Sequence, residues 1–312
     1  MHYAVDQSRN RPGAERPLAG RGERDDRPQA EDIALGADRP ALGLLGARAA
    51  GQRVGMIGTS GAMHEGHLSL IRRAAAGNDV VALFWGGVSA SGWMASEIGH
   101  SRDAMRDFAL AEGAGAGVIF APDAAELFAR PPMTTVSLPA MAGDVPHLED
   151  PAHLDLIAMT MCKLWNLFGP CRAYFGEKDW QQTVMFQRLA DDLAWPVEVI
   201  GCPTVREADG LALSSRNQKL TPRERAEAPV LYRALTAARQ AALDGARSST
   251  QLAKAFTSVI GDPARIRYFT TVEAATMRPL DELSGPVRLL ASIELGAVRL
   301  VDNVGVDLTP LA

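Results

Sequence analysis

Residues 54–75 contain the pattern that most constrains the fold of this chain: a short strand, a glycine-rich turn and then a helix. Val54–Ile57 is an apolar run, which predicts a buried parallel strand. Glycines recur through residues 58–66 and allow sharp turns beside a ligand. From Leu68 onward the apolar residues have helical spacing. The junction therefore offers free backbone N–H groups and the positive end of a helix dipole, which suit a phosphate group.

Two histidines lie at this junction. His64 and His67 belong to the run His-Glu-Gly-His, which matches the His-x-Gly-His signature of the nucleotidyltransferase superfamily. In that superfamily two imidazoles hydrogen-bond the phosphates of ATP while a carboxylate attacks the α-phosphate. Two other interpretations stay open from this motif alone. The histidines are compatible with an exposed turn, and also with a metal site, although no third ligand stands at a recognisable spacing.

The composition indicates a globular protein, since 47% of its 312 residues are hydrophobic and 22% are charged. The net charge of -5 gives no electrostatic reason to expect nucleic acid as a partner. We expect no membrane association, because the sequence has neither a membrane-spanning apolar run nor a signal-peptide core. Cys162, Cys171 and Cys202 are odd in number and lack metal-site spacing, which favours a reduced, cytoplasmic setting.

The order of elements predicts how the chain is divided. Residues 1–36 are rich in charged residues, Pro and Gly, which predicts a disordered N-terminal extension. Strands and helices alternate between Val54 and Cys202, as in a parallel sheet with helices on both faces. After a polar segment, helices and then strands follow as far as Asn303. We therefore predict an α/β domain over residues 37–203 and a smaller α+β domain over residues 204–312.

Two further motifs give a specific resemblance. Residues 172–182 read Arg-Ala-Tyr-Phe-Gly-Glu-Lys-Asp-Trp-Gln-Gln, and residues 205–217 read Val-Arg-Glu-Ala-Asp-Gly-Leu-Ala-Leu-Ser-Ser-Arg-Asn. Together with residues 59–67, they make residues 37–306 resemble the pantothenate synthetase (pantoate–β-alanine ligase) family. The resemblance implies a Rossmann-like, doubly wound parallel sheet, a C-terminal lid domain and a homodimer. It also implies an ATP-dependent, AMP-forming ligase that joins a small carboxylic acid to an amine through an acyl-adenylate.

The resemblance assigns roles to individual residues. Catalytic contacts to the phosphates are implied for five side chains: His64, His67, Lys178, Ser214 and Arg216. Nucleotide binding is implied for six further positions: Thr59, Gly61, Gly66, Gly176, Asp179 and Ser215. These assignments fit the chemistry, because adenylation needs positioning and charge stabilisation at the α-phosphate rather than a protein nucleophile. Mg²⁺ is expected with the ATP phosphates, without assigned protein ligands.

The acid-binding side departs from the family pattern. Ser60 and Leu213 each stand where the family has a methionine, and Ser89 replaces a glutamine that contacts pantoate. A second such glutamine is retained as Gln182. Since polar groups that bind a substrate hydroxyl discriminate strongly, these changes should alter which acid fits, and a paralogue of a specialised pathway that uses an acid other than pantoate is one alternative. A divergent pantothenate synthetase, a non-catalytic nucleotide-binding homologue and nucleotidylation without ligation remain alternatives.

Overall fold

The computed structural model describes residues 33–34, 39–86, 104–122, 127–128, 130, 132–138, 151–262 and 265–309. Residues Asp32–Ala312 form one compact unit, and the other unit, Met1–Glu31, lies outside the described residues. Most of the predicted N-terminal extension is therefore outside them as well. Ile33 and Ala34 are an exception, because they form a short strand. The prediction of disorder is wrong at these two apolar residues, whose backbone pairs with an edge of the sheet.

Among the described residues, six strands form a sheet in which every neighbouring pair is parallel. The strand order is β1-β4-β3-β2-β5-β6. The strands are β1 (Ile33–Ala34), β2 (Val54–Thr59), β3 (Val80–Trp85), β4 (Val118–Phe120), β5 (Cys171–Gly176) and β6 (Val197–Cys202). The helices among them are α1 (Arg39–Ala49), α2 (Glu65–Gly77), α3 (Ala104–Ala114), α4 (Pro151–Phe168) and α5 (Trp180–Asp192).

Successive side chains of each central strand pack into different hydrophobic clusters, because side chains along a strand point to alternate faces. Met56 and Phe84 pack with the buried residues of α1, α4 and α5. Ile57 and Leu83, the neighbours of these residues in sequence, pack with those of α2 and α3. The sheet is therefore covered by helices on both faces, which confirms the predicted α/β class.

The order in which successive strands are added to the sheet changes direction between β2 and β5. From β2 it proceeds outward through β3 to β4, and it then returns to β5, which lies on the other side of β2. In open α/β sheets of this kind, ligands bind outside the carboxyl ends of the strands at the point of reversal. The Rossmann-like, doubly wound arrangement is confirmed, and it places the ends of β2 and β5 side by side.

The C-terminal region has its own sheet and hydrophobic core. It contains helices α6 (Pro222–Glu227), α7 (Val230–Leu243) and α8 (Ser249–Ile260), followed by strands β7 (Ile266–Glu273), β8 (Gly285–Leu295) and β9 (Val298–Leu308). The three strands form an antiparallel sheet with β8 in its centre. Leu235 and Phe256 pack from the helices against Leu289 and Ile293 of β8. This arrangement confirms the predicted smaller α+β unit.

The opposite side of this C-terminal sheet contacts the α/β core. Val272 of β7 and Leu290 of β8 belong to the same buried cluster as α4 and α5. The two sheets are therefore joined by apolar packing as well as by the chain. Separately, none of the helices in the described ranges is long and apolar enough to cross a membrane. Cys162, Cys171 and Cys202 are free thiols in buried positions.

We expect truncation of a buried side chain on the face of the sheet covered by α2 and α3 to lower the stability of the chain. Leu83→Ala removes a side chain with no exposed surface, so it should lower the free energy of unfolding by about 2–5 kcal/mol through lost burial and a cavity. The matched control is Leu45→Ala, since Leu45 is 56% exposed and its truncation should cost about 0.5 kcal/mol or less. Urea denaturation of both variants measures this difference, and equal losses would contradict the assigned core.

Candidate active site

Three segments with sequence-predicted site residues come together at the point of chain reversal. The first is the loop and helix start after β2, residues 59–67, and the second is the turn after β5, residues 176–182. The third, residues 204–217, follows β6 and is called the strap here. Lys178, Ser214 and Arg216 line one cleft with residues of β9. Leu213 lies beside Gly66, because a Cβ built at Gly66 would be 3.9 Å from the Leu213 Cβ.

The two histidines are held by the start of helix α2. His64 is the N-cap residue, and its Nδ1 accepts a hydrogen bond of 3.1 Å from the Gly66 backbone N–H. The backbone N–H of His64 in turn donates to Nδ1 of His67 at 3.4 Å. The rings stack with their centroids 4.1 Å apart. Since each Nδ1 accepts a hydrogen bond, each neutral imidazole carries its own proton on Nε2, which is then free to donate to a ligand.

Both imidazoles are neutral donors at physiological pH. Burial, together with the positive charge of Lys178, lowers the pKa of His64 below its ordinary value. The pKa of His67 is lowered to about 4, chiefly by burial and also by His64 and Lys178, although Asp107 opposes the shift. Lys178, in the turn after β5, therefore acts on both rings through its positive charge. The site therefore combines two neutral N–H donors with a cation, which suits an anion such as phosphate.

The backbone of the loop after β2 adopts conformations that require small residues. Gly61 has a φ of 87°, in the left-handed region that favours glycine. Its N–H donates to Oγ1 of Thr59, which is buried at the end of β2. Gly66 is needed for a different reason, because a Cβ there would lie 2.8 Å from Cε1 of His64. A side chain at position 66 would therefore displace the His64 ring from its capping position.

A buried carboxylate supports this loop and was not predicted. Asp107 of α3 has no exposed surface, and its Oδ1 accepts a 3.0 Å hydrogen bond from the backbone N–H of Met63. Its Oδ2 accepts a 3.1 Å bond from Nε1 of Trp85, at the end of β3. Asp107 thus fixes the residue directly before His64. The only available signal in the sequence was an acidic residue next to Phe108 on a helix that also carries apolar residues.

Lys178 lies in a single 3₁₀ turn, Glu177–Asp179, between β5 and α5. Residues of the C-terminal sheet hold this turn, and sequence reasoning did not find them. Arg288 donates to Oε2 of Glu177 at 2.8 Å, and its guanidinium lies 3.6 Å from the centre of the Trp180 ring. Asn303 donates to the backbone oxygens of Glu177 and Lys178. The backbone that carries Lys178 is therefore fixed by residues of the C-terminal sheet.

The remaining predicted residues of this turn border open space. A Cβ placed on Gly176 would meet nothing within 4 Å, so a ligand is able to approach the end of β5 closely. Asp179, at the end of the 3₁₀ turn, and Gln182, in the first turn of α5, are both exposed. Their side chains are available to a ligand. Asp179 in particular makes no capping hydrogen bond to α5.

The strap is a short hairpin that leads into a second 3₁₀ turn, Ser215–Lys219. Its two sides pair through Arg206 and Ala212, and the N–H of Leu213 donates to the Val205 carbonyl. Ser214 caps the turn, since its Oγ accepts a hydrogen bond from the Arg216 N–H. The Arg216 side chain is exposed and Ser215 is partly buried. The predicted residues Ser214 and Arg216 thus line the cleft, and Ser215 lies between them in the chain without lining it.

The acid-side predictions have a mixed outcome. Ser60 is exposed directly after β2, and Leu213 is half-buried beside the histidine loop, so both lie at the same edge of the sheet as the histidines. Ser89 falls outside the described residues. Within the ranges that the structure describes, no group of three or more His, Cys, Asp or Glu side chains is arranged to hold a metal. Lys178, Ser214 and Arg216, which line the cleft, are neutral or cationic donors and fit phosphate oxygens.

Comparisons with known proteins identify the family to which the chain is similar. Residues 41–305 match the family model described as pantoate-beta-alanine ligase. The chain is 46% identical over 272 residues to pantothenate synthetase 1 of Frankia alni, covering 83% of this chain and 92% of the relative. Pantothenate synthetase of Cereibacter sphaeroides is 41% identical over 261 residues, covering 83% of this chain and 94% of the relative.

Solved structures have the same fold. Pantothenate synthetase from Thermus thermophilus matches with a TM-score of 0.73 and 36% identity, covering 86% of this chain and 98% of that one. Pantoate-beta-alanine ligase from Francisella tularensis, complexed with beta-gamma ATP and beta-alanine, matches with a TM-score of 0.66 over 88% of this chain and 97% of that one. Its identity of 24% supports a shared fold alone. On the family match and the close relatives, this chain belongs to the pantoate–β-alanine ligase family.

Proposed function

We propose that this chain is an ATP-dependent ligase that forms an amide between pantoate and β-alanine and releases AMP and pyrophosphate. The observation that carries the proposal is the pair of neutral imidazoles held at the start of α2, on which Lys178 in the turn after β5 acts through its positive charge. Membership of a family named for this reaction supports the choice of substrates. ATP is the co-substrate, and Mg²⁺ would accompany its phosphates without a protein cage among the described residues.

In the first step, an oxygen of the acid carboxylate attacks the α-phosphorus of ATP. A bond forms between that oxygen and phosphorus, the bond to the β-phosphate oxygen breaks, and pyrophosphate leaves with the electron pair. His64 and His67 donate from Nε2 to phosphate oxygens, while Lys178 supplies positive charge as negative charge develops. Ser214 and Arg216 contact the phosphates from the strap, Arg216 through a guanidinium suited to two parallel hydrogen bonds. Asp179 contacts the ribose, and Thr59, Gly61, Gly66, Gly176 and Ser215 shape the nucleotide site.

In the second step, the free amine attacks the carbonyl carbon of the acyl-adenylate. A C–N bond forms, the bond between that carbon and the phosphate oxygen breaks, and AMP leaves. The amine loses a proton as the amide forms. No protein nucleophile is required in either step, since pyrophosphate is the leaving group of the first step and AMP is that of the second. The task of the protein is to hold two substrates in reacting geometry and to stabilise charge on the phosphate.

The identity of the acid is the part of the proposal with a specific alternative. Ser60, Leu213 and Ser89 differ from the family pattern at positions on the acid side, whereas Gln182 is retained. An acid other than pantoate, used in a specialised pathway, is therefore the second candidate. The exposure of Ser60 and Gln182 favours contact of both with a ligand, but it does not distinguish between the two acids.

We further propose a working organisation for the chain. Residues 37–203 form the nucleotide-binding domain, and residues 204–312 act as a lid that brings Ser214 and Arg216 to the cleft. A hydrophobic cluster confined to the C-terminal region, from Leu211 to Val306, supports this division. The assembly is a homodimer by analogy with the family. A cytoplasmic location remains a prediction, with which three free, buried thiols agree.

The first test is ATP–pyrophosphate exchange by the purified chain with pantoate and with a panel of other small carboxylic acids. The expected result is exchange with pantoate at about 1 s⁻¹ or faster, within the ordinary range for enzymes, and AMP release with an amide product when β-alanine is added. Exchange with another acid alone would establish the second candidate. Retained ATP binding without any exchange would indicate a nucleotide-binding protein, and a stable nucleotide conjugate would indicate nucleotidylation without ligation.

We expect Gly66→Ala to impair adenylation without unfolding the chain. The added Cβ would lie 2.8 Å from His64 Cε1 and would move that ring away from its donor position. Exchange should fall about 100-fold, as for other small displacements of catalytic groups. The matched control is Gly113→Ala, a glycine in helix α3 with nothing within 4 Å of its added Cβ. Equal exchange rates for the two variants would remove the His64 ring from the mechanism.

We also expect His67 to make stability depend on pH. Its pKa is about 4 in the folded chain and about 6.5 in an unfolded one, so the unfolded state binds more protons between these values. The stabilisation is complete above pH 6.5 and is lost as the pH falls toward 4. Urea denaturation should show a loss of up to about 3 kcal/mol from this residue in that window. His67→Gln should reduce the pH dependence, and an unchanged dependence would contradict the assignment.

A further inference from the structure

Two consecutive residues of β9 lie between the two cationic segments of the site. Asp302 and Asn303 are both buried, and consecutive side chains of a strand point to opposite sides. Asn303 reaches the turn that carries Lys178, and Asp302 reaches the strap that carries Ser214 and Arg216. A single dipeptide therefore contacts the backbone supports of both groups of phosphate-binding residues.

The contact on the Lys178 side uses the whole donor capacity of one side chain. Nδ2 of Asn303 donates to the backbone oxygen of Glu177 at 2.8 Å and to that of Lys178 at 2.7 Å. An amide nitrogen has two hydrogens, so both are used. These two oxygens belong to the 3₁₀ turn, and fixing both sets the orientation of the peptide that carries the Lys178 side chain.

The contact on the strap side is a buried ion pair. Both carboxylate oxygens of Asp302 accept from Arg206, at 2.6 and 3.0 Å, and Oδ1 also accepts from the Asn303 N–H at 2.8 Å. Side-chain exposure is 17% for Arg206 and 3% for Asp302. The Arg206 guanidinium also lies 3.8 Å from the centre of the Tyr232 ring, and it donates to the Gly210 carbonyl. Arg206 is thereby fixed in the strap on three sides.

We propose that Asn303 and Asp302 are positioning residues that set the distance between Lys178 and the strap residues Ser214 and Arg216. They act through the backbone carbonyls of Glu177 and Lys178 and through Arg206. This inference rests on the proposed function, because it concerns the site that would bind ATP. A positioning role differs from a purely structural one in one respect. Substitution of Asn303 should lower the rate of ATP–pyrophosphate exchange only while Lys178 is present.

The test is a double-mutant cycle on ATP–pyrophosphate exchange with Asn303→Ala, Lys178→Ala and the double variant. Asn303→Ala should lower kcat about 100-fold, in line with the effect of misplacing a catalytic group by about 1 Å. The KM for ATP should change less than kcat. The double variant should be no more than about threefold slower than Lys178→Ala alone, since groups that act as a unit are not additive. Fully multiplied losses would overturn the proposal.

The strap side is tested in the same way with Asp302→Asn and Arg216→Ala. The double variant should be no more than about threefold slower than Arg216→Ala alone. The control for both cycles is Ser292→Ala, which removes another buried hydrogen bond of the same sheet, from Ser292 Oγ to the Leu300 carbonyl. It should lower the thermal midpoint as Asn303→Ala does but leave exchange at the level of the unsubstituted chain. Loss of exchange in this control equal to that in Asn303→Ala would also overturn the proposal.

Two additional measurements separate the possible failures. If Asn303→Ala does not fold, Asn303→Ser is used instead, because it retains one donor. Its exchange rate should lie between that of the unsubstituted chain and that of Lys178→Ala; a rate equal to that of the unsubstituted chain would contradict the positioning role. If the unsubstituted chain shows ATP–pyrophosphate exchange with none of the acids, the proposed function fails. The double-mutant cycle is then measured as calorimetric affinity for a non-hydrolysable ATP analogue. Asn303→Ala should weaken that affinity about 10-fold, with no further loss when it is combined with Lys178→Ala. Additive losses, or none from Asn303→Ala, would overturn the inference.

Discussion

The parallel pairing of β2 with β5 is the interaction on which the rest of the site depends. It places the histidine loop and the Lys178 turn at adjacent strand ends, although about a hundred residues of chain separate them. The pairing is supported from the α2 side by Asn78, whose Nδ2 donates to the Ala74 carbonyl and to the Tyr174 hydroxyl. A Cβ at Gly55 would lie 2.8 Å from that nitrogen. The small residue in β2 is therefore what allows α2, β2 and β5 to meet.

The electrostatic arrangement of the site follows from this geometry. Burial disfavours the charged form of an imidazole, and the positive charge of Lys178 disfavours it further, so His64 and His67 stay neutral. Three cations crowded at one strand end would repel one another in the absence of ligand. Two neutral N–H donors beside one ammonium group provide hydrogen bonds to phosphate oxygens with less repulsion. The helix start adds backbone polarity without adding a titratable charge.

The sequence predicts the segments that carry the site residues but not the distant residues that hold these segments in place, and the reason is physical. Hydrophobic periodicity and the three motifs identified the strand ends, the helix start and the strap, because these signals lie within short stretches of chain. Asp107, Arg288 and Asn303 contact the site from 44, 111 and up to 126 residues away. Nothing in a single sequence reports such contacts. The short strand Ile33–Ala34 was missed because its partner is an edge of a sheet formed by later residues.

The buried pair of Arg206 and Asp302 shows why these supports are polar. Removing two charges from water is costly, and apolar residues of similar volume often serve stability as well or better. Here the carboxylate accepts three hydrogen bonds and the guanidinium also stacks on Tyr232, which offsets the desolvation cost. Apolar packing would hold the strap against β9 but would leave its direction along the strand poorly defined. A bidentate ion pair fixes both distance and orientation, which is what a site made from separate segments requires.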